Sequence, residues 1–473
     1  MDGRIPFRAK LIWRYLFLFF IVVAAMKLTG GAGFAIVIPL AFWALMQNKE
    51  EDLFFYMLLT IAMVVANPNI VPKNMAFAVE QRGMMAVFGL ILTLRVAGQK
   101  KAPLVKPLVG VLFYVTYMIL PSLQGWCAPI SMMKILLFVL VFLSYYGAAN
   151  ATSVNPRANM PIVRSMVLAI AIVFIWGSVA LIPLPGYGMM RSRFLEAGQV
   201  ERALSSYFMG MTSHSQCLGP MISGLAALLL ADWVFGVRKF SKLYFGLLIC
   251  CPILIWKTAS RGGMLTFAMG VMFVVFLLTR ASWVNRRWKG KVLMNLWAIA
   301  FIGFFVLLLN PSSRNSLQRF LVKHDVGEGE KVQVNVENFT SSRMGLVDRA
   351  LTNFKESPLI GNGFQVSDEM KNVKIQSIKD LLSAPIEKGV WIVAVLEEGG
   401  VVGWVIFTTF LITAILKFIK YRAYISASVL LVFTASNMGE FSFFSMSYLG
   451  GFMWALVFAA VVLDSTRAKA EIF

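Results

Sequence analysis

The sequence predicts an all-α fold, a polytopic transmembrane helical bundle of about 12–14 spans with one large folded loop on a single face. Three observations predict it. Of 473 residues, 59% are hydrophobic and 14% charged, and the mean hydropathy is +0.74. The apolar runs recur along the whole chain instead of gathering into one core. Basic residues collect in alternate connections, as the positive-inside rule demands of a multi-pass protein.

Spans are expected to begin near Leu11, Ala32, Leu53, Gly83, Pro107, Met132, Pro161, Gln216, Leu243, Gly263, Val292, Val401, Ala423 and Ser447. The first run, Tyr15 to Ala25, follows Arg4, Arg8, Lys10 and Arg14 and reads as a signal-anchor helix. The chain divides into residues 1–309 (helices with short connections, including a charged outer segment at 186–215), a polar loop at 310–388, and C-terminal helices at 389–473. With the N-terminus in the cytoplasm, 24 of the 44 Lys and Arg fall on the cytoplasmic side and 11 in the long loop. That loop also has 10 Asp and Glu, so it is nearly neutral and expected to fold. Both termini are then cytoplasmic, and the loop and outer segment share the opposite face.

Composition excludes several classes. The net charge of +21 is mostly orientation signal, and nucleic-acid binding would need a clustered basic face on a soluble surface. The 12 Trp and 39 Phe suit interfacial belts and lipid-facing helices. Cys127, Cys217, Cys250 and Cys251 have no C-x-x-C spacing, which argues against a disulfide framework or a zinc site. There is no G-x-x-x-x-G-K-[ST] loop for ATP. No internal repeat of the transporter kind is visible. A flippase or other transporter should carry charges along many spans. Here charge concentrates in one outer loop, which favours an enzyme.

Arg261 stands in Thr258-Ala259-Ser260-Arg261-Gly262-Gly263, between two apolar stretches. A cation at a membrane edge is costly and reads as functional by default. Ser260 is a candidate N-cap for the following helix, which puts Arg261 in the first turn, where the macrodipole disfavours a cation. An anion held jointly by the free amides and the guanidinium removes that conflict. The other reading is an arginine snorkelling to lipid headgroups.

The long loop predicts its own helix, capped by Ser341-Ser342, with Met344, Val347, Leu351 and Phe354 at helical spacing and Pro358 and Gly361-Asn362-Gly363 ending it. Arg343 is expected in its first turn, repeating the arrangement at Arg261. Two such arginines on one face suit a diphosphate. The competing reading pairs Arg343 with Glu337 or Asp348.

Taken in order, the segments Ser260-Arg261-Gly262-Gly263, Ser342-Arg343-Met344-Gly345, Glu356-Ser357-Pro358-Leu359-Ile360-Gly361-Asn362-Gly363, Glu387-Lys388-Gly389 and Leu396-Glu397-Glu398-Gly399-Gly400 resemble the bacterial O-antigen ligase and O-antigen polymerase superfamily. The similarity is clearest from Arg191 to Gly403. The resemblance implies a GT-C-like integral membrane glycosyltransferase of the inner membrane, working at the periplasmic leaflet without cofactor or metal. The partners it implies are an undecaprenyl-diphosphate-linked oligosaccharide donor, a glycan acceptor, membrane lipid and, as a candidate, a chain-length regulator protein. It assigns diphosphate contacts to Arg261 and Arg343. Ligases have a histidine just before the glutamate–glycine helix start. Here that stretch reads Ala384-Pro385-Ile386-Glu387-Lys388-Gly389, and neither His214 nor His324 falls there. This tilts the expectation from ligase to polymerase.

An inverting transfer needs a group to deprotonate the acceptor hydroxyl. Glu387 occupies the position of the ligase histidine and is the first candidate, unless it pairs with Lys388 or an outer arginine. His214, at the start of the eighth span, is the second candidate, unless it serves as a structural hydrogen-bonder. Arg191, Arg193, Arg349 and Lys388 are further candidates for phosphate or sugar contacts. Glu398 and Glu440 lie near outer helix ends, where a structural role is also open.

Overall fold

The computed structural model describes residues 8–72, scattered positions from 81 to 91, 104–153, 156–189, 208–237, 239, 241–309 without 259 and 283, 336–371, and 388–472 without 440 and 447. The fold is a helical bundle. Among the described residues there are no strands, only isolated bridges joining Ala66 to Thr212 and Met189 to Phe208.

The helices follow the apolar runs. They are α1 Ala9–Thr29, α2 Val37–Met46, α3 Glu50–Val65, α4 Lys106–Gln124, α5 Ala128–Thr152, α6 Ala158–Ala180, α7 Ser215–Val237, α8 Lys242–Lys257, α9 Arg261–Arg280, α10 Arg286–Leu309, α11 Val336–Phe354, α12 Trp391–Lys420, α13 Tyr424–Ser436 and α14 Leu449–Ile472. Seven of them, α1, α4, α5, α6, α7, α9 and α12, are long and apolar enough to cross a membrane. Local chemistry sets many ends. Pro129 lies in the first turn of α5, where its missing N–H costs nothing. Gly30, in the left-handed region at φ 67°, closes α1. Lys27, Arg280, Lys417 and Lys420 fall in the last turns of α1, α9 and α12, at the negative end of the macrodipole.

Helices α7, α9, α13 and α14 form the tightest part of the bundle. Small residues allow it, as in other membrane helix pairs. Gly219 of α7 faces Gly263 and Ser260, where a Cβ would collide. Ser223 Oγ donates to the carbonyls of Gly219 and Gly263, both at 2.9 Å.

Among the described residues, helix ends gather at two ends of the bundle. At one end, Ser213 N–H bonds the Val65 carbonyl at 2.9 Å, Asn67 Nδ2 bonds the Gly210 and Tyr187 carbonyls, the Ser213 and Tyr448 hydroxyls meet, and Trp391 N–H bonds the Asn437 carbonyl at 3.0 Å. At the other, Arg14 pairs with Asp52 at 3.1 Å, Trp288 Nε1 bonds the Val234 carbonyl, and Ser465 bonds Ser153. There Arg164 makes a buried two-pronged pair with Asp232, Nε to Oδ2 at 2.7 Å and Nη2 to Oδ1 at 2.8 Å, while Tyr244 donates to Oδ2 at 2.6 Å. Asp232 opens a short π-helical stretch, Asp232–Val237.

Candidate functional site

The site is built around a break in α12. Gly400 has φ 63° and ψ −169°, outside the helical region, so the helix is interrupted between Trp391 and Lys420. Inside an apolar span, freed backbone groups must find partners within the protein. The segment at 358–363 supplies them. Asn362 and Gly363 N–H bond the carbonyls of Glu397 and Glu398 at 3.0 Å each, and Val401 and Val402 N–H bond the carbonyls of Pro358 and Leu359 at 2.9 and 3.2 Å. The Tyr117 hydroxyl takes the Gly399 carbonyl at 2.8 Å. Gly361, at φ 82°, lies against Glu398, and Gly400 lies against Leu359. A Cβ at either would collide with that backbone.

Beside the break lies a buried charge cluster. Lys388, Glu397 and Glu398 are 6%, 2% and 1% exposed. Lys388 Nζ lies 3.1 Å from Glu397 Oε2 and 3.2 Å from Glu398 Oε1. The other oxygen of Glu397 accepts from Asn353 Nδ2 at 2.8 Å, and Asn362 Nδ2 donates to the Asn353 carbonyl at 2.8 Å. Lys134, a buried cation on α5, donates to the Gln365 carbonyl at 2.9 Å and lies near enough to Glu398 to attract it. Two ammonium groups thus balance two carboxylates, the condition for charges to persist in a low-dielectric interior. Lys388 stands just outside the span. Burial lowers its pKa, but the carboxylates of Glu398 and Glu397 more than offset that and leave it above the usual lysine value.

Arg261 opens α9 as the sequence predicts. Ser260 caps the helix, its hydroxyl accepting from Gly263 N–H at 3.1 Å, and Arg261 is half-buried in the first turn. Gly262 packs on Gly439. From there the chain of contact runs through Asn437 and Trp391 to Gly389, which Leu346 of α11 covers. Helix α11 packs on α12. The arginine helix start and the loop helix therefore lie at the same end of the bundle.

Two expectations change. Helix α11 starts at Val336, not at Ser341-Ser342. Both serines then become interior positions. Arg343 is the eighth residue of the helix instead of a first-turn residue, so the macrodipole argument made for it does not apply. Lys388, expected to pair with Glu387 or to meet substrate, instead pairs with Glu397 and Glu398.

Arg349 makes a two-pronged pair with Asp368, the shortest contact 2.6 Å, so its guanidinium is already engaged. His214 caps α7, its Nδ1 accepting from Gln216 N–H at 3.1 Å. Arg191, Arg193, His324, Glu387 and Glu440 lie outside the described residues, as does the side chain of Arg343. Asn353, Lys134 and Glu397 were missed as site residues. For Lys134 and Glu397 the available signal was an ionisable residue inside an apolar run.

No family model and no curated protein matches the chain.

Proposed function

We propose that this chain is an inverting membrane glycosyltransferase of the bacterial inner membrane. It polymerises undecaprenyl-diphosphate-linked oligosaccharide units into O-antigen or exopolysaccharide at the periplasmic face. The observation that carries the reading is the half-buried Arg261 in the first turn of a capped, apolar helix, at the bundle end where α11 brings in the stretch containing Arg343. A cation in that turn is offset by an anion shared with the open amides. The diphosphate of a lipid-linked sugar is such an anion and reaches the site through the membrane.

In this reading an acceptor hydroxyl attacks the anomeric carbon as the bond to the diphosphate oxygen breaks. The hydroxyl proton passes to a base, for which Glu387 remains the candidate, and undecaprenyl diphosphate leaves. Arg261 and Arg343 stabilise the charge that builds on the leaving group. The ion-paired state of Arg349 and Lys388 argues for roles in holding the fold. The buried ion pairs also weaken the transporter alternative, because Arg164–Asp232 and Lys388–Glu397/Glu398 lie at the two bundle ends.

The test is the cell-surface glycan of a deletion strain carrying wild type or Arg261→Ala. Single repeat units on the acceptor are expected with no gene or with the alanine variant. Long chains left on the lipid carrier would make the protein a ligase. Normal chain length in Arg261→Ala, at wild-type protein level, would overturn the arginine's role. Losing one donor to a developing oxyanion costs about a hundredfold or more in rate.

A further inference from the structure

Glu397 is the meeting point of three separate pieces of chain. Its carboxylate takes Asn353 Nδ2 on one oxygen, at 2.8 Å, and Lys388 Nζ on the other, at 3.1 Å. Its carbonyl accepts from Asn362 N–H at 3.0 Å. Asn353 is the penultimate residue of α11, and Lys388 leads into α12 through Gly389 and Val390. Both carboxylate oxygens are committed to protein, and the side chain is buried. Such a carboxylate is withdrawn from solvent, which places it poorly for taking a proton from an acceptor hydroxyl. It is suited to holding other groups in place, with one oxygen on each of two separate pieces of chain.

We infer that Glu397 is a positioning residue, a two-armed latch that fixes the loop helix α11 through Asn353 and the approach to α12 through Lys388. Resting on the proposed glycosyltransferase function, the inference makes Glu397 the residue that sets where the Arg343 stretch stands relative to the helix start at Arg261.

The two arms can be cut separately. Glu397→Gln keeps an oxygen for Asn353 but loses the attraction for Lys388. Asn353→Ala does the reverse. Hydrogen exchange on the full-length protein in nanodiscs should then show two different patterns. In Asn353→Ala, amides of residues 345–354 exchange faster while 388–396 keep wild-type protection. In Glu397→Gln the pattern is inverted. Wild-type exchange in both variants, or the same global loss in both, would overturn the latch.

Transfer from lipid-linked oligosaccharide is measured in parallel. Each variant should lose about tenfold in turnover, the equivalent of about 1.4 kcal/mol of misplacement. The shape of the pH profile should be unchanged, because no proton-transferring group is removed. A Glu397→Gln enzyme that loses one limb of that profile with wild-type exchange would make Glu397 a base and sink the inference. If the exchange patterns appear as expected but wild type transfers no sugar, the latch stands and the glycosyltransferase reading falls.

Discussion

Asn353, at the end of the loop helix, hydrogen-bonds across 44 residues to Glu397, three residues before the break in α12. The bond joins the part of the chain least like a membrane protein to the part most like one. It also explains why an acid is tolerated inside an apolar span. Glu397 faces Asn353 and Lys388 instead of lipid, so its charge is met by an ammonium and an amide. An isolated carboxylate there would take up a proton or move out of the interior.

The break itself gives the first prediction. Gly400→Ala places a Cβ at φ 63°, ψ −169°, a region open essentially to glycine alone, at a cost of about 1–3 kcal/mol, and drives it into the Leu359 backbone. Gly361→Ala meets the Glu398 carbonyl in the same way. Both should displace the 358–363 segment and uncover the bonds it makes to α12. Limited proteolysis near Pro358 should speed up in both. Alanine at Gly345, which is exposed with open space around it, should leave the cleavage rate unchanged.

Much of this architecture was legible in the sequence. The expected start at Val401 corresponds to the break at Gly400, because Gly399-Gly400 interrupts an otherwise helical run. Ser260 announced the cap of α9 because its type and place are those of an N-cap. The spacing of Met344, Val347, Leu351 and Phe354 marked α11. Its true start was hidden, since the stretch before Ser341 has no apolar period to count. The charge cluster was hidden for a different reason. Lys134 and Glu398 lie 264 residues apart and come within electrostatic reach only in the folded chain, and Arg164 and Asp232 are 68 residues apart. Pairings of that kind follow from packing, which a single sequence does not display.

The pair at the opposite end makes a prediction about stability alone. Arg164 and Asp232 are both buried and bonded through two parallel contacts. Removing one partner strands a charge, at a cost of about 3–5 kcal/mol. Asp232→Leu and Arg164→Met should each lower the unfolding temperature in detergent sharply. The double variant Arg164→Met/Asp232→Leu should recover much of the loss, because neither charge is left behind. Strictly additive losses would show that the two residues act independently.

Lys388 predicts a pH dependence. Its folded pKa is raised above that of an exposed lysine, burial being outweighed by Glu398 and Glu397. A raised folded pKa contributes stability that is fully present below the unfolded value, about 10.4, and is lost as the pH rises through the folded one. The contribution should therefore be constant through neutrality and fade only in strong alkali. Lys388→Met leaves Lys134 alone to balance two buried carboxylates and should cost about 3–5 kcal/mol near neutral pH. The difference in Tm between wild type and this variant should narrow only in alkali, above the ordinary lysine range. A gap that already closes between about pH 7 and pH 9 would contradict the raised value.

His214 and Glu387 remain the two candidates for the base, and they can be separated by chemistry. His214 Nδ1 accepts from Gln216 N–H, so it does the work of a capping residue at the start of α7. Asparagine can place an acceptor oxygen in much the same position and ranks among the best caps. His214→Asn should therefore keep both stability and transfer, while His214→Ala loses about 1 kcal/mol of stability with turnover little changed. Glu387→Gln is expected to preserve the fold and donor binding but stop transfer, because an amide does not take up the hydroxyl proton. The wild-type rate should also fall in acid as the carboxylate is protonated, so it should rise with pH through the carboxylate range. The measurement is transfer from a purified lipid-linked oligosaccharide by wild type, His214→Asn, His214→Ala and Glu387→Gln. Full activity in Glu387→Gln beside a stable but inactive His214→Asn would move the proton transfer to the imidazole and remove Glu387 from the mechanism.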